Sequence, residues 1–214
     1  MPLVSNEVKP LIIANWKMNP PTLREATFLF NQVKKTGAVI CPPFIYLSVL
    51  KASGAQDCSW EERGAFTGEI SPQMLKNLWI EYVIIGHSER RKYQKETNEM
   101  VEKKLKAVMA AGLKPILCID KISQLPQDIK QGFIVAYEPL FSIGTGKACP
   151  PERAEKMRIA IQKFLGKRVP VLYGGSVNSQ NARDYVKKAG FDGLLVGGAS
   201  LKPKEFIDIV KLAC

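Results

Sequence analysis

The sequence predicts an α/β fold of the (β/α)8 barrel type, in one domain spanning residues 1–214. Three observations lead there. Short apolar runs alternate with longer amphipathic ones through the chain, as strands alternating with helices would. Eight such runs can be counted, and they are near-continuously apolar, the pattern of parallel strands covered on both faces. The residues that follow them are polar and chemically able. A doubly wound sheet is the competing architecture, but its Gly-x-Gly-x-x-Gly turn after the first strand is missing, and Asn15-Trp16-Lys17-Met18-Asn19 stands in its place.

In chain order, strands are expected at 11–14, 38–41, 55–58, 82–85, 115–119, 133–137, 169–173 and 193–196. Helical stripes lie between them. Leu23, Ala26, Phe30 and Val33 form the first; Met100, Val101, Leu105, Val108 and Met109 form another. Ala154, Met157, Ile161 and Phe164 make a third, and Phe206, Ile207 and Val210 a shorter last one. Asn178 is placed to cap a helix starting at Ser179, and Pro203 suits a first helical position.

Composition narrows the class. The chain is 46% hydrophobic, enough for a full core. No run approaches the ~18 apolar residues of a membrane span, and the N-terminus lacks a secretory pattern. Cys41, Cys58, Cys118, Cys149 and Cys214 show no metal or redox spacing, so a cytoplasmic protein with reduced thiols is expected. The net charge of +11 is spread over the helices without a dense tract or interleaved aromatics, which favours a solvated basic surface over nucleic-acid binding. His87 is the only histidine, which excludes a His–His metal site.

In a barrel, strand C-termini converge on one face, where chemistry is built. Asn15 and Lys17 follow the first strand, His87-Ser88-Glu89 the fourth, and Glu138 the sixth. Pro139 cannot continue a central ladder, so Glu138 is held at the strand tip. A segment with two glycines and a lysine follows it, free to hinge as a lid. Gly174-Gly175-Ser176 follow the seventh strand and Gly197-Gly198 the eighth. A base, an imidazole, a cation, an amide and a glycine-rich cradle therefore meet at one mouth. Each also has a plain structural reading: a solvated Glu, a satisfied His, a surface Lys, ordinary βα turns.

Taken together, Ala14-Asn15-Trp16-Lys17-Met18-Asn19, Gly86-His87-Ser88-Glu89-Arg90-Arg91, Ala136-Tyr137-Glu138-Pro139, Gly144-Thr145-Gly146-Lys147, Tyr173-Gly174-Gly175-Ser176 and Gly197-Gly198 resemble the motif set of the triosephosphate isomerase family, in order and nearly end to end. The resemblance implies a TIM barrel that interconverts dihydroxyacetone phosphate and D-glyceraldehyde 3-phosphate through an enediolate, in glycolysis and gluconeogenesis, with no metal or organic cofactor. It implies Glu138 as the base and His87 as a neutral donor, with the start of a short helix at Ser88 disfavouring the imidazolium. Lys17 would stabilise developing charge, Asn15 would orient substrate, and Glu89 would pair with Lys17. Asn15, Lys17, Gly144, Ser176, Gly197 and Gly198 would bind substrate, the last four through backbone N–H groups on the phosphate. The long loop 59–71 would be the contact of a homodimer, with Thr67 reaching the neighbouring site and Glu69 and Arg90 facing each other across the interface. An aldolase-like barrel would want a Schiff-base lysine inside a strand or a metal triad, and neither is visible. A catalytically dead phosphate-binding barrel is the other alternative, against which intact Glu138, His87 and Lys17 argue.

The chain departs from the family pattern in places. Phe141 stands where Trp is usual, Lys147-Ala148-Cys149 is an unusual far hinge, and Asp120-Lys121 replaces Gly-Glu after the fifth strand. Residues 120–132 alone join strands five and six, whereas a crossover needs at least ~10–12 residues. A full fifth helix cannot fit. The expectation is a shortened connection of two helical turns around 126–130, carrying Leu125 and Ile129 inward, over the thinnest part of the wall.

Overall fold

The computed structural model describes residues 9–142, 147–166 and 169–214. Eight parallel strands alternate with helices, confirming the predicted class: β1 Leu11–Asn15, β2 Val39–Cys41, β3 Gly54–Ala55, β4 Tyr82–Ile85, β5 Lys114–Ile119, β6 Ile134–Tyr137, β7 Val171–Tyr173 and β8 Gly193–Val196. The ladder runs β2-β1-β8-β7-β6-β5-β4-β3. β3 returns against β2, where a Cβ on Gly54 would lie only 2.4 Å from Cys41 Sγ, so the barrel nearly closes around a residue that must lack a side chain.

Both faces of the strands are buried, which explains their continuous apolar sequence. Ile13, Val39, Ile84, Ile116, Ala136, Leu172 and Leu195 fill the barrel interior, while the alternate residues Ile12, Ile40, Val83, Leu117, Val135 and Leu194 meet the helices. Among the described residues the helices are α1 Leu23–Val33, α2 Leu47–Leu50, α3 Pro72–Asn77, α4 Ser88–Tyr93, α5 Asn98–Ala110, α6 Pro151–Leu165 and α7 Pro203–Ala213. Thr22 caps α1 and Thr97 caps α5 through their hydroxyls, and Pro203 occupies the first turn of α7 as predicted. The buried stripe of α1 is Ala26, Leu29 and Val33, so Leu23, exposed at the helix start, drops out of the expected set. Asn178 does accept the Gln180 and Asn181 N–H groups, but the segment it starts becomes a π turn at Asp184–Lys188, not a regular α-helix.

The connection from β5 to β6 corrects the sequence reading. Its only helical turn is a 3-10 turn at Ile122–Gln124, where the Gln124 side chain accepts the Asp120 N–H at 2.8 Å. No turn forms at 126–130. Leu125 is extended (φ −74°, ψ 140°) because the Pro126 ring excludes the helical region for the residue before it. Leu125 and Ile129 nevertheless pack inward as expected. Neighbours help to cover the gap: Met109 of α5 leans over Gly132, and the Lys130 ammonium sits 4.1 Å from the Phe164 ring centroid on α6. The outward residues Leu117, Ile119, Val135 and Tyr137 are at most 4% exposed. This cover is made of single side chains and carries few backbone hydrogen bonds of its own. Native-state hydrogen exchange should therefore find the β5 and β6 amides opening at lower free energy than those of β7 and β8. Equal protection around the barrel would show that the short connection seals the wall as well as a helix does.

Candidate active site

Five strand ends build the mouth, and each predicted side chain is placed by the residue pattern before it. β1 ends at Asn15, whose Oδ1 accepts the Lys17 N–H at 3.0 Å. That turn forces Lys17 to φ 54°, a left-handed conformation that costs a non-glycine residue about 1–3 kcal/mol when imposed by its surroundings. Gln56, just past β3, helps to hold it by donating to the Lys17 and Cys41 carbonyls at 2.8 and 2.9 Å. So held, the Lys17 ammonium lies 2.6 Å from Glu89 Oε1. A Cβ on Gly197 would be 3.3 Å from Lys17 Cε, which brings the start of the β8 turn against the lysine stem.

β4 ends at Ile85, two residues before His87, which is the N-cap of α4. Its Nδ1 accepts the Glu89 N–H at 3.2 Å, so the ring proton of the neutral form resides on Nε2. Nε2 lies 3.0 Å from Glu138 Oε1, and Glu138 Oε2 accepts the Ser88 N–H at 3.0 Å. Glu138 is 2% and His87 6% exposed, so this is a buried pair. Burial alone would raise the carboxyl pKa; the imidazole and the Ser88 amide outweigh it and hold Glu138 below the ordinary glutamate value, ionised at neutral pH. For His87, burial lowers the pKa, but the facing carboxylate more than compensates and moves it up. Protonating Nδ1 would forfeit the Glu89 amide bond. The imidazolium is thus favoured only while Glu138 stays on the ring.

The remaining turns close the mouth. A Cβ on Gly174 would lie 3.0 Å from Glu138 Cγ, so β7 can approach the carboxylate only with glycine there. The Ser176 hydroxyl donates to the Ser142 carbonyl. Direct contacts thus link Asn15, Lys17 and Glu89, and His87 with Glu138, and Gly197 lies against the lysine stem; Ser176 and Gly198 stand in the turns after β7 and β8, and Gly144 falls outside the described residues. A cavity of about 590 Å3 opens at the mouth, lined by Lys17, Ser88, Glu89, Cys118, Glu138 and Leu140.

Sequence reasoning missed the support beneath. Lys104, Asp57 and Glu96 form a buried ionic cluster, joined by the partly exposed Arg90: Lys104 Nζ is 2.8 and 2.7 Å from the two Asp57 oxygens and 2.6 Å from Glu96 Oε1. Arg90 Nε is 2.9 Å from Asp57 Oδ2 and 2.6 Å from Glu96 Oε1. Because Arg90 follows Glu89 in α4, the cluster locks the helix that carries His87 and Glu89. One signal was available in the sequence: Lys104 falls on the apolar stripe between Val101 and Leu105.

Fold and mouth define a class, a parallel (β/α)8 barrel carrying acid–base side chains at the C-terminal ends of its strands. Comparison with known proteins narrows it. Residues 10–213 match the family model for triosephosphate isomerase. The chain is 39% identical over 245 residues to the triosephosphate isomerase of Alkaliphilus oremlandii, covering 94% of this chain and 98% of that one. It is 40% identical over 244 residues to that of Dehalococcoides mccartyi (95% and 96% covered) and 39% identical over 242 residues to that of a Synechococcus species (95% of each). The chain belongs to the triosephosphate isomerase family and is an isomerase. Each alignment runs longer than the chain's own 214 residues, so this barrel is a shortened member, in keeping with its abbreviated β5–β6 connection.

Proposed function

We propose that this protein interconverts dihydroxyacetone phosphate and D-glyceraldehyde 3-phosphate by proton transfer through an enediolate. The observation that carries the reading is the neutral-capable His87, with Nδ1 engaged by a backbone N–H and Nε2 3.0 Å from Glu138 Oε1, the carboxylate that lines one cavity with Lys17. Glu138 takes the proton from the carbon next to the carbonyl, and the bonding electrons move to the carbonyl oxygen. The His87 Nε2–H and the Lys17 ammonium stabilise the charge that appears there. His87 Nε2 gives its proton to that oxygen and takes the proton of the neighbouring hydroxyl, and Glu138 then returns its proton to the former carbonyl carbon as the neighbouring oxygen becomes the new carbonyl, so atoms and charge balance and no metal or organic cofactor is called for. In the free site Nε2 is committed to Glu138; substrate must separate the two, which removes the main influence raising the ring's pKa and leaves the imidazole a neutral donor. Asn15 orients the substrate, Glu89 holds Lys17, and amides of Gly144, Ser176, Gly197 and Gly198 receive the phosphate. A coupled isomerase assay on purified protein tests the reading: turnover supports it, whereas phosphate binding without turnover would favour a catalytically dead barrel.

A homodimer is part of the same proposal. Residues 62–69 are all exposed, Phe66 at the tip among them, and Met18 beside the catalytic lysine is 92% exposed. A second cavity of about 260 Å3, lined by Asn15, Lys17, Gln56, Asp57, His87 and Arg90, could receive the Thr67 tip of another copy. Thr67→Arg should then shift the protein toward monomer in analytical ultracentrifugation, with activity falling alongside, because an unpaired charge is costly to bury. A monomeric wild type would end this part of the proposal. A cytoplasmic place in glycolysis and gluconeogenesis follows from the reaction. Among the described residues no helix is long and apolar enough to cross a membrane, and neither membrane nor nucleic acid is proposed as a partner.

A further inference from the structure

We infer that Tyr185 is a positioning residue for the phosphate side of the site, acting through Cys149 and Tyr173 on the Gly174-Gly175-Ser176 turn. The inference rests on the isomerase reading above. Tyr185 lies in the π turn Asp184–Lys188, closed by the Ala189 N–H donating to the Asp184 carbonyl at 2.9 Å. Such widened turns are rare and occur frequently at functional sites. Here the turn sets a buried ring flat against Tyr173, with centroids 3.6 Å apart and planes 13° from parallel, and Phe191 packs edge-on to both.

The two stacked phenols grip a single buried residue from both sides. The Cys149 N–H donates to the Tyr173 oxygen at 3.1 Å, and the Tyr185 hydroxyl donates to the Cys149 carbonyl. That carbonyl precedes Pro150 and Pro151, neither of which has an N–H, and the first α6 amides turn to the Pro150 carbonyl instead. Tyr185 is its donor.

The Tyr173 oxygen has a second face. A Cβ on Gly175 would lie 2.3 Å from it and 2.6 Å from Ser142 Oγ, so the 174–176 turn rests directly on this hydroxyl pair. Ser142 is tied in turn to Pro139 by its hydroxyl, at 2.9 Å, and to Ser176 by its carbonyl. A chain of contacts thus runs from the π turn, through Cys149 and Tyr173, to the backbone proposed to hold the phosphate. Removing the Tyr185 hydroxyl frees the Cys149 peptide, which together with Ser142 and the Tyr185 hydroxyl itself holds the Tyr173 oxygen under Gly175.

Tyr185→Phe keeps the ring and its stack and deletes only this donor. We expect the affinity for inorganic phosphate, measured by calorimetric titration, to weaken about five-fold, the effect of one buried hydrogen bond. KM for the triose phosphate should rise by the same factor while kcat stays within about two-fold, and Tm should move by no more than about 4 °C. Tyr173→Phe should weaken phosphate binding likewise, and the double variant should lose no more than the worse single one, because both act through one chain of contacts. A core-filling role would lower Tm and leave phosphate affinity and KM alone. That result, additive losses in the double variant, or a wild type that binds no phosphate would each overturn the inference. Phosphate affinity is read without turnover, so absence of isomerase activity would sink the proposed function and leave this test standing.

Discussion

Glu138→Gln should reduce kcat by at least ~10²–10⁴-fold, the range expected for loss of one acid–base group. The substitution keeps volume and leaves one oxygen able to accept, but the amide cannot take a proton from carbon. The neighbouring contacts limit the collateral damage. One carboxylate oxygen faces the His87 Nε2 and the other the Ser88 N–H, both at 3.0 Å, so the amide can satisfy one donor and must present its own NH2 to the other. Phosphate affinity should therefore change only a few-fold, since the proposed phosphate contacts come from other turns. Steady-state kinetics beside phosphate titration separates the two effects, and near-wild-type turnover would remove Glu138 from the role of base.

Lys104→Met should destabilise the fold by about 3–5 kcal/mol, because it strands buried carboxylates that now share a cation. Lys104 is 3% exposed and reaches both Asp57 and Glu96. Even in the intact cluster, burial outweighs the two cations at Asp57 and pushes its pKa up to about 6, while Glu96 is held below its ordinary value mainly by Lys104 and Arg90. The signs differ accordingly. Asp57 binds a proton more readily folded than unfolded, so its contribution is largest at low pH and declines as pH rises toward 6. Glu96 contributes above its unfolded pKa and loses that contribution as pH falls through its depressed folded value. Without Lys104 both carboxyls move up and the first behaviour dominates. Denaturant unfolding should then show the variant at its worst at neutral pH and partly recovered near pH 5. A loss that is small, or that does not depend on pH, would mean water reaches the cluster.

The sequence and the fold divide the site between them in a way these two residues illustrate. Glu138, His87 and Lys17 were legible because each stands within three residues of the end of an apolar strand run, and a strand's end is a position that local patterning defines. Lys104 and Asp57 were not read, although Lys104 interrupts an apolar stripe, because a buried charge declares its purpose only through partners far along the chain. Tyr185 was hidden more completely: its neighbours Val186, Ala189 and Phe191 look like the same apolar helix face, and only the π turn directs its ring toward Tyr173.

The β5–β6 connection draws the same boundary. Counting residues 120–132 was enough to exclude a full helix, since chain length is a property of sequence alone. Where the remaining turn would form was not: the rule that excludes helix at Leu125 acts locally, but the choice of Ile122–Gln124 depends on Gln124 reaching back to the Asp120 amide. By itself the sequence determined the strand order, the two-sided burial of the wall and the chemical kinds of residue at its mouth, because hydrophobic period and chain direction are read along the chain. The tertiary structure decided which nitrogen of His87 carries the proton, what holds Lys17 in its left-handed turn, and what covers the shortened wall. Each of those is settled by distances between segments that no spacing along the chain encodes.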